Sequence, residues 1–375
     1  MPEFALRGPM PSSDSHRLYG LQILRFFAAF AVLLEHVMHE ALSFGITPNG
    51  LIATLEPVDF GVGVDVFFVI SGFIMLHISA DKFGRPGASG EFLLRRIVRL
   101  VPLYWLFSAA MLAAMLLVPG QLAHTHFDAA HIAASFGFIP WLDATGLAHP
   151  VLGLGWTLNY EMYFYAVFAL MLLLPLRAGL WTLCGLFVLL AATHLAMPPG
   201  AVQLVFWTDP IILEFLFGIG LALLVRRGLR LPAWLPPLLL VAGIAGLGFG
   251  QLVDIGGAFD RLLTAGIPAA LVVAGTVFAR AHAPGPVGRA LVLGGDASYA
   301  LYLSHPFSIN LVILGWQKFG FAAPRLFIAT AIVAAVLVAI GVHLLLERPL
   351  LRGLGGLLRR RPVPAPAALP VNAGE

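Results

Sequence analysis

Long apolar blocks, separated by short polar stretches, run through the chain from about residue 21 to residue 346. Ten of these blocks approach the roughly 20 residues that an α-helix needs to cross about 30 Å of hydrocarbon. They lie near residues 21–41, 58–79, 99–118, 156–176, 179–196, 203–225, 232–250, 259–280, 297–317 and 323–346. The pattern predicts an all-α integral membrane protein of about ten transmembrane helices. Residues 1–17 are expected to form a loose cytoplasmic tail, 18–350 the membrane domain, and 351–375 a Pro/Ala-rich, disordered cytoplasmic tail. The first apolar block follows a polar stretch and has no small-residue cleavage site after it, so it is expected to be a retained helix and not a signal peptide.

Composition agrees: 59% of residues are hydrophobic, 11% are charged and the mean hydropathy is +0.92. Soluble domains carry about 25% charged residues. Basic residues test the topology, because Lys and Arg gather in cytoplasmic loops. With ten spans and both termini inside, 19 of the 22 basic residues fall on the cytoplasmic side, leaving only Arg261, Lys318 and Arg325 outside. The net charge of +3 follows from this anchoring, and the scattered arginines form no face of the kind nucleic acid requires. The single cysteine, Cys184, lies in mid-span and reads as a packing residue.

Ionisable groups in hydrocarbon cost roughly 2.5–3.5 kcal/mol on insertion scales, which makes each one a functional candidate. The first block contains "ILRFFAAFAVLLEH". Its Arg25 and His36 are eleven residues apart, on one helical face and about 16 Å apart along the axis. Arg25 either snorkels to the inner boundary or serves a ligand, and His36 is either a satisfied core histidine or a reactive one. In "VDFGVGVDVFFVISGFIMLH" the glycines and Ser71 suit close helix packing. Packing does not explain Asp65, which is either half of a structural ion pair or a site residue. "RRIVRLVPLYW" sets Arg95, Arg96 and Arg99 at a cytoplasmic entry, with Arg95 and Arg99 sharing a face. They are plain topological anchors or a phosphate-binding group, since guanidinium forks match phosphate oxygens.

"GWTLNYEMYFYAVF" places Glu161 about 8 Å below the outer boundary, the depth also expected for His36. A carboxylate meeting that imidazole would fix its tautomer and prepare a general base. Trp156 and Tyr160 read as an aromatic belt. Glu214 lies near mid-membrane in "FWTDPIILEFLFGIGLAL", while Tyr302 and His305 share "SYALYLSHPF". Glu347 and Arg348 in "LLLERPL" read as helix-end caps. The long outer segment 119–155 is expected to hold a short interfacial helix. Its His124, His126, Asp128 and His131 have zinc-compatible chemistry, but no metal site is assigned there.

These motifs together resemble the acyltransferase 3 family of membrane acyltransferases, most closely its exopolysaccharide O-acetyltransferase branch. The resemblance spans residues 18–350 and rests on the Arg25 to His36 spacing and on "GVDVFFVISGFIM", "RRIVRLVPLYW", "GWTLNYEMYFY", "SYALYLSHP" and "ERPL", in that order. It implies a multi-pass protein of the bacterial inner membrane that moves an acetyl or longer acyl group to a hydroxyl of a surface glycan or lipid-linked oligosaccharide. The donor is usually acetyl-CoA, as a substrate and not a resident cofactor. On this resemblance His36 is the catalytic residue, with Glu161 near it. The resemblance also makes Arg25 functionally important and sets Arg96 and Arg99 on the acyl-donor side; the topology adds Arg25 and Arg95 as partners of the donor's phosphates and leaves Asp65, Ser71, Glu214, Tyr302 and His305 as candidates for acceptor binding or support of the site. Some members carry a C-terminal SGNH-type domain. The sequence here shows none, so any second transfer step is expected to involve another protein or not to occur. Two other readings remain open: a transporter of a small polar solute without internal repeats, and an acyltransferase with a lipid or protein acceptor.

Overall fold

The structure, a computed structural model, describes residues 12–43, 58–117, 128–198, 200–250, 252–253, 255–279, 284–320 and 323–359. No strand occurs among the described residues. The helices are α1 (Ser12–Ser43), α2 (Gly63–Ser79, entered through a 3-10 turn at Phe60–Val62), α3 (Ala88–Leu117), α4 (Ala129–Phe136), α5 (Trp156–Met171), α6 (Leu176–Thr193) and α7 (Val202–Thr208). They continue with α8 (Leu213–Arg226), α9 (Leu235–Gly250), α10 (Ile267–Phe278), α11 (Pro286–Asp296), α12 (Ser298–Phe319), α13 (Pro324–Val342) and α14 (Arg348–Arg359).

Each of the ten apolar blocks is helical. Among the described residues, six helical stretches are long and apolar enough to cross a membrane: Tyr19–Ser43, Phe60–Lys82, Ala88–Leu117, Leu176–Ala196, Val202–Arg226 and Pro324–Gly356. The block 203–225 is broken where Pro210 removes a backbone donor and the Asp209 carboxylate caps the new start by accepting from Ile211 N at 2.9 Å. The short helix expected within 119–155 is α4, capped by Asp128, which accepts from Ala130 N at 2.9 Å.

Two expected boundaries move. Helix α1 starts at Ser12 instead of near 18, and α14 carries the helical part to Arg359, past the expected onset of disorder at 351. Leucines spaced among arginines in "RPLLRGLGGLLR" give that last segment an apolar stripe. The expectation for the Pro/Ala-rich residues beyond 359 lies outside the described residues.

Helix α2 is the most enclosed of the six, packed against α8 on one side and α1 on another. Small residues make this possible: a Cβ on Gly72 would stand 2.0 Å from the Phe215 carbonyl oxygen, and one on Gly218 2.0 Å from that of Val69. The two glycines therefore let the backbones of α2 and α8 touch, the usual means of helix association in membranes. Around this centre α1 packs on α11, α12 and α13, α3 packs on α5, and α9 on α10. Many large apolar side chains remain outward, Trp181 and Leu189 among them, as a hydrocarbon surrounding requires.

The α1–α2 contact sets the two ends of the bundle. Phe60 N donates to Glu35 Oε2 at 2.9 Å, which fixes the start of α2 at the level of His36. The chain then descends α2 and returns in α3, whose early turns carry Arg95, Arg96 and Arg99. Those arginines lie toward the opposite end from His36, as does Arg25.

Candidate functional site

A cavity of about 90 Å³ opens between α1, α2, α3, α5 and α12. Arg25, Ser71, Arg96, Arg99, Glu161 and Tyr302 line it, so it gathers six of the residues singled out from sequence. Tyr165 and Tyr299 line it too.

Most of the polar lining groups are held from behind. Tyr165 donates its hydroxyl to Glu161 Oε1, and Ser71 Oγ donates to the same oxygen at 3.5 Å. The Arg96 guanidinium, 3% exposed, lies over the Phe92 and Tyr165 rings at 5.6 and 5.8 Å. Stacking of this kind holds a planar cation in place without quenching its charge. Arg25 Nη1 donates to Gln22 Oε1 at 3.3 Å, and Gln22 Nε2 donates in turn to Asp296 Oδ1 at 2.8 Å. Tyr299 OH donates to the Leu100 carbonyl at 2.7 Å. The hydroxyls of Tyr302 and Thr157 are 2.7 Å apart, and both reach the Leu154 carbonyl, at 3.0 and 3.1 Å.

Arg95 is not part of this wall. It is exposed and paired with Glu91 at 2.6 Å, the next helical turn back. The shared face expected for Arg95 and Arg99 does not lead both into the cavity; Arg96, one residue on, turns inward instead.

His36 sits just beyond the cavity wall. Its ring packs edge-on against His305 with centroids 4.9 Å apart, and His305 is 6.3 Å from the ring of Tyr302, which faces the cavity. His36 Nδ1 lies 2.8 Å from the Val32 carbonyl and His305 Nδ1 lies 3.0 Å from that of Leu301. A carbonyl oxygen only accepts, so in each ring the proton is assigned to Nδ1 and the lone pair to Nε2. The expected Glu161–His36 hydrogen bond is absent. The backbone one turn earlier sets the imidazole, and Glu161 is committed to Tyr165 and Ser71.

Asp65 and Glu214 belong to a different cluster. Both are fully buried, and Asp65 accepts two hydrogen bonds from Arg261, from Nε at 3.0 Å and Nη2 at 2.7 Å. Arg261 was visible in the sequence only as one of the three basic residues on the expected outer side. A further buried pair, His343 Nδ1 to Glu347 Oε2 at 2.7 Å, occupies a π-helical turn at His343–Glu347. Glu347 is therefore inside the bundle and does not cap it at the surface; the four-residue spacing in "HLLLE" was the available signal. On α4 His131 Nε2 faces the His149 carbonyl at 2.8 Å, while His124 and His126 lie outside the described residues.

The sequence profile of the acyltransferase domain matches residues 18–344. The chain belongs to the acyltransferase 3 family. Among curated relatives, the acyltransferase is 39% identical to the exopolysaccharide production protein ExoZ of Rhizobium meliloti, over 77% of this chain and 89% of that one. It is 30% identical to the acyltransferase MdmB of Streptomyces mycarofaciens over 92% of this chain and 94% of the relative. A putative peptidoglycan O-acetyltransferase of Bacillus subtilis, YrhL, is 29% identical over 57% of this chain and 34% of its own length. No solved structure matches the acyltransferase.

Proposed function

We propose that this membrane acyltransferase moves an acetyl group from acetyl-CoA, bound from the cytoplasm, to a hydroxyl of an exopolysaccharide or related surface glycan. The observation that carries the reading is one cavity lined by three arginines at its donor end and closed by Tyr302 against the His305–His36 pair. Ten crossings with both termini cytoplasmic, in the inner membrane, are part of the same reading. They are supported by the ten helical blocks and by the arginine distribution.

Arg25, Arg96 and Arg99 would engage the donor's phosphates, leaving the flexible pantetheine arm to extend along α1 toward His36. The Nε2 lone pair of His36 then serves one of two routes. It removes the proton of the sugar hydroxyl as that oxygen attacks the thioester carbonyl, or it attacks the carbonyl itself. In the second route the C–S bond breaks, an acyl-imidazole forms, and the hydroxyl takes the acyl group and regenerates His36. In both, coenzyme A leaves and the hydroxyl proton ends on its sulfur or in solvent. The neutral tautomer held by the Val32 carbonyl suits either route. No resident cofactor is needed for this chemistry.

The test is purified protein in liposomes, with acetyl-CoA and a chemically deacetylated exopolysaccharide. Release of coenzyme A that depends on the glycan, with acetyl appearing on the sugar, is expected. Solute uptake without acetyl-CoA, and no glycan-dependent release, would overturn the proposal in favour of transport.

A further inference from the structure

At the end of the bundle that carries His36, Arg261 lies in the gap between two fully buried carboxylates and the surface. Its Nε and Nη2 are committed to Asp65, and the Glu214 carboxyl packs against Gly266 in the π-helical turn that Arg261 opens. Arg261 is the cation that compensates the fully buried Asp65. Withdrawing it would strand buried charge, which keeps the guanidinium fixed. Its side chain is nonetheless 40% exposed, and among the described residues no hydrogen bond takes up Nη1.

The guanidinium carbon stands over the Trp156 ring, 6.0 Å from its centre, so it takes one face of the indole and leaves a sugar the other. Trp156 is only half-buried and opens α5, one residue before Thr157 in the cavity wall and five before Glu161. Asp65 lies in the first turn of α2, whose entry turn is tied to Glu35 beside His36. A partly open indole, a fixed guanidinium with unused N–H groups and the proposed point of transfer therefore share one end of the molecule.

We infer that Trp156 and Arg261 form the acceptor subsite, the indole stacking on the C–H face of a sugar ring and Arg261 Nη1 donating to its hydroxyl or carboxylate oxygens. Flat aromatic faces combined with a few fixed polar donors are how pockets take amphipathic ligands such as pyranosides. The fixed donor costs little ordering when the sugar arrives. In naming where the acceptor binds, the inference rests on the glycan-acyltransferase reading above.

The experiment measures acetyl transfer by the full-length protein in liposomes, with oligosaccharides from mild-alkali treatment of the host's exopolysaccharide as acceptor. It compares wild type, Trp156→Ala and Arg261→Lys, the last keeping a positive charge for Asp65. The expected result is an acceptor KM raised roughly tenfold in each variant, the scale of one lost aromatic or charge-assisted contact. The acetyl-CoA KM stays within about twofold of wild type. A simple loss of folding would instead lower the apparent kcat and leave both KM values unchanged. Unchanged acceptor KM in both variants, with wild type active, removes the subsite and leaves the transferase reading intact. A wild type that acetylates none of these oligosaccharides removes both.

Discussion

His36 and His305 meet edge to face, 4.9 Å between ring centres, each with Nδ1 turned to the carbonyl four residues earlier on its own helix. Two helices distant in sequence thus present two imidazoles in the same tautomer, and His305 itself is fully buried. His36→Ala is expected to lower acyl transfer by at least 10²–10⁴-fold, the usual contribution of a positioned acid–base group. His305→Phe keeps a ring against His36 and is expected to reduce kcat less, while changing its pH profile. Wild-type turnover in His36→Ala, with the protein folded in the membrane, would falsify the assignment of the reacting group.

The three neighbouring arginines of α3 separate by environment. Arg99 lines the cavity, whereas Arg95 is spent on Glu91 at the surface. Arg99→Ala is therefore expected to raise the acetyl-CoA KM about tenfold or more, as loss of a charge-assisted contact does, and to leave the acceptor KM nearly unchanged. Arg95→Ala should lie within about twofold of wild type, because exposed ion pairs contribute little. Equal effects of the two substitutions in a donor titration would argue against the cavity as the donor site.

The helical blocks were legible because a membrane demands apolar length, and each is largely helical, although only six helical stretches among the described residues are long and apolar enough to cross it. The polar residues were legible as candidates for the same reason, since charge in hydrocarbon is costly. Their partners were not legible. Depth along a helix placed Glu161 and His36 at one level, but rotation about each axis decides contact, and it gives Glu161 to Tyr165 and His36 to His305. Helical phase likewise grouped Arg95 with Arg99, although the inward-facing neighbour is Arg96. Arg261 carried no signal beyond being a basic residue on the unexpected side.

The α2–α8 contact sets the position of Ser71 and Asp65, and it depends on glycines that leave no room for a methyl group. Gly72→Ala forces a Cβ to within 2.0 Å of the Phe215 carbonyl, a backbone atom that cannot swing aside. Separating the helices to relieve it is expected to cost about 1–3 kcal/mol, as overpacking of a core does. Thermal unfolding in detergent should show a lower Tm for Gly72→Ala and for Gly218→Ala. Gly220→Ala, where a Cβ meets open space, serves as the neutral comparison. Native stability in the first two would mean that α2 and α8 do not approach as described.

The loop that follows α4 is organised by one carboxylate. Asp143 Oδ1 accepts from Thr145 N at 2.7 Å, Thr145 Oγ1 at 2.6 Å and Leu147 N at 3.1 Å, and His149 stands 3.5 Å from Oδ2. Partial burial pushes this carboxyl up, but the Thr145 hydroxyl, the two backbone donors and His149 together outweigh it and hold it below the usual carboxylate range. An acid depressed on folding stabilises fully above its unfolded value, near pH 3.9, and that contribution is lost as pH falls through the lower folded value. Protection of the Leu147 amide, its exchange rate relative to an unstructured amide at the same pH, is therefore expected to be high at pH 5 and above and to fall in acid below about pH 4. Asp143→Asn loses the ionic component and should be less protected at neutral pH, with little further change in protection on acidification. A wild-type loop whose protection is flat from neutral to strongly acid pH would show that something other than this carboxylate holds it.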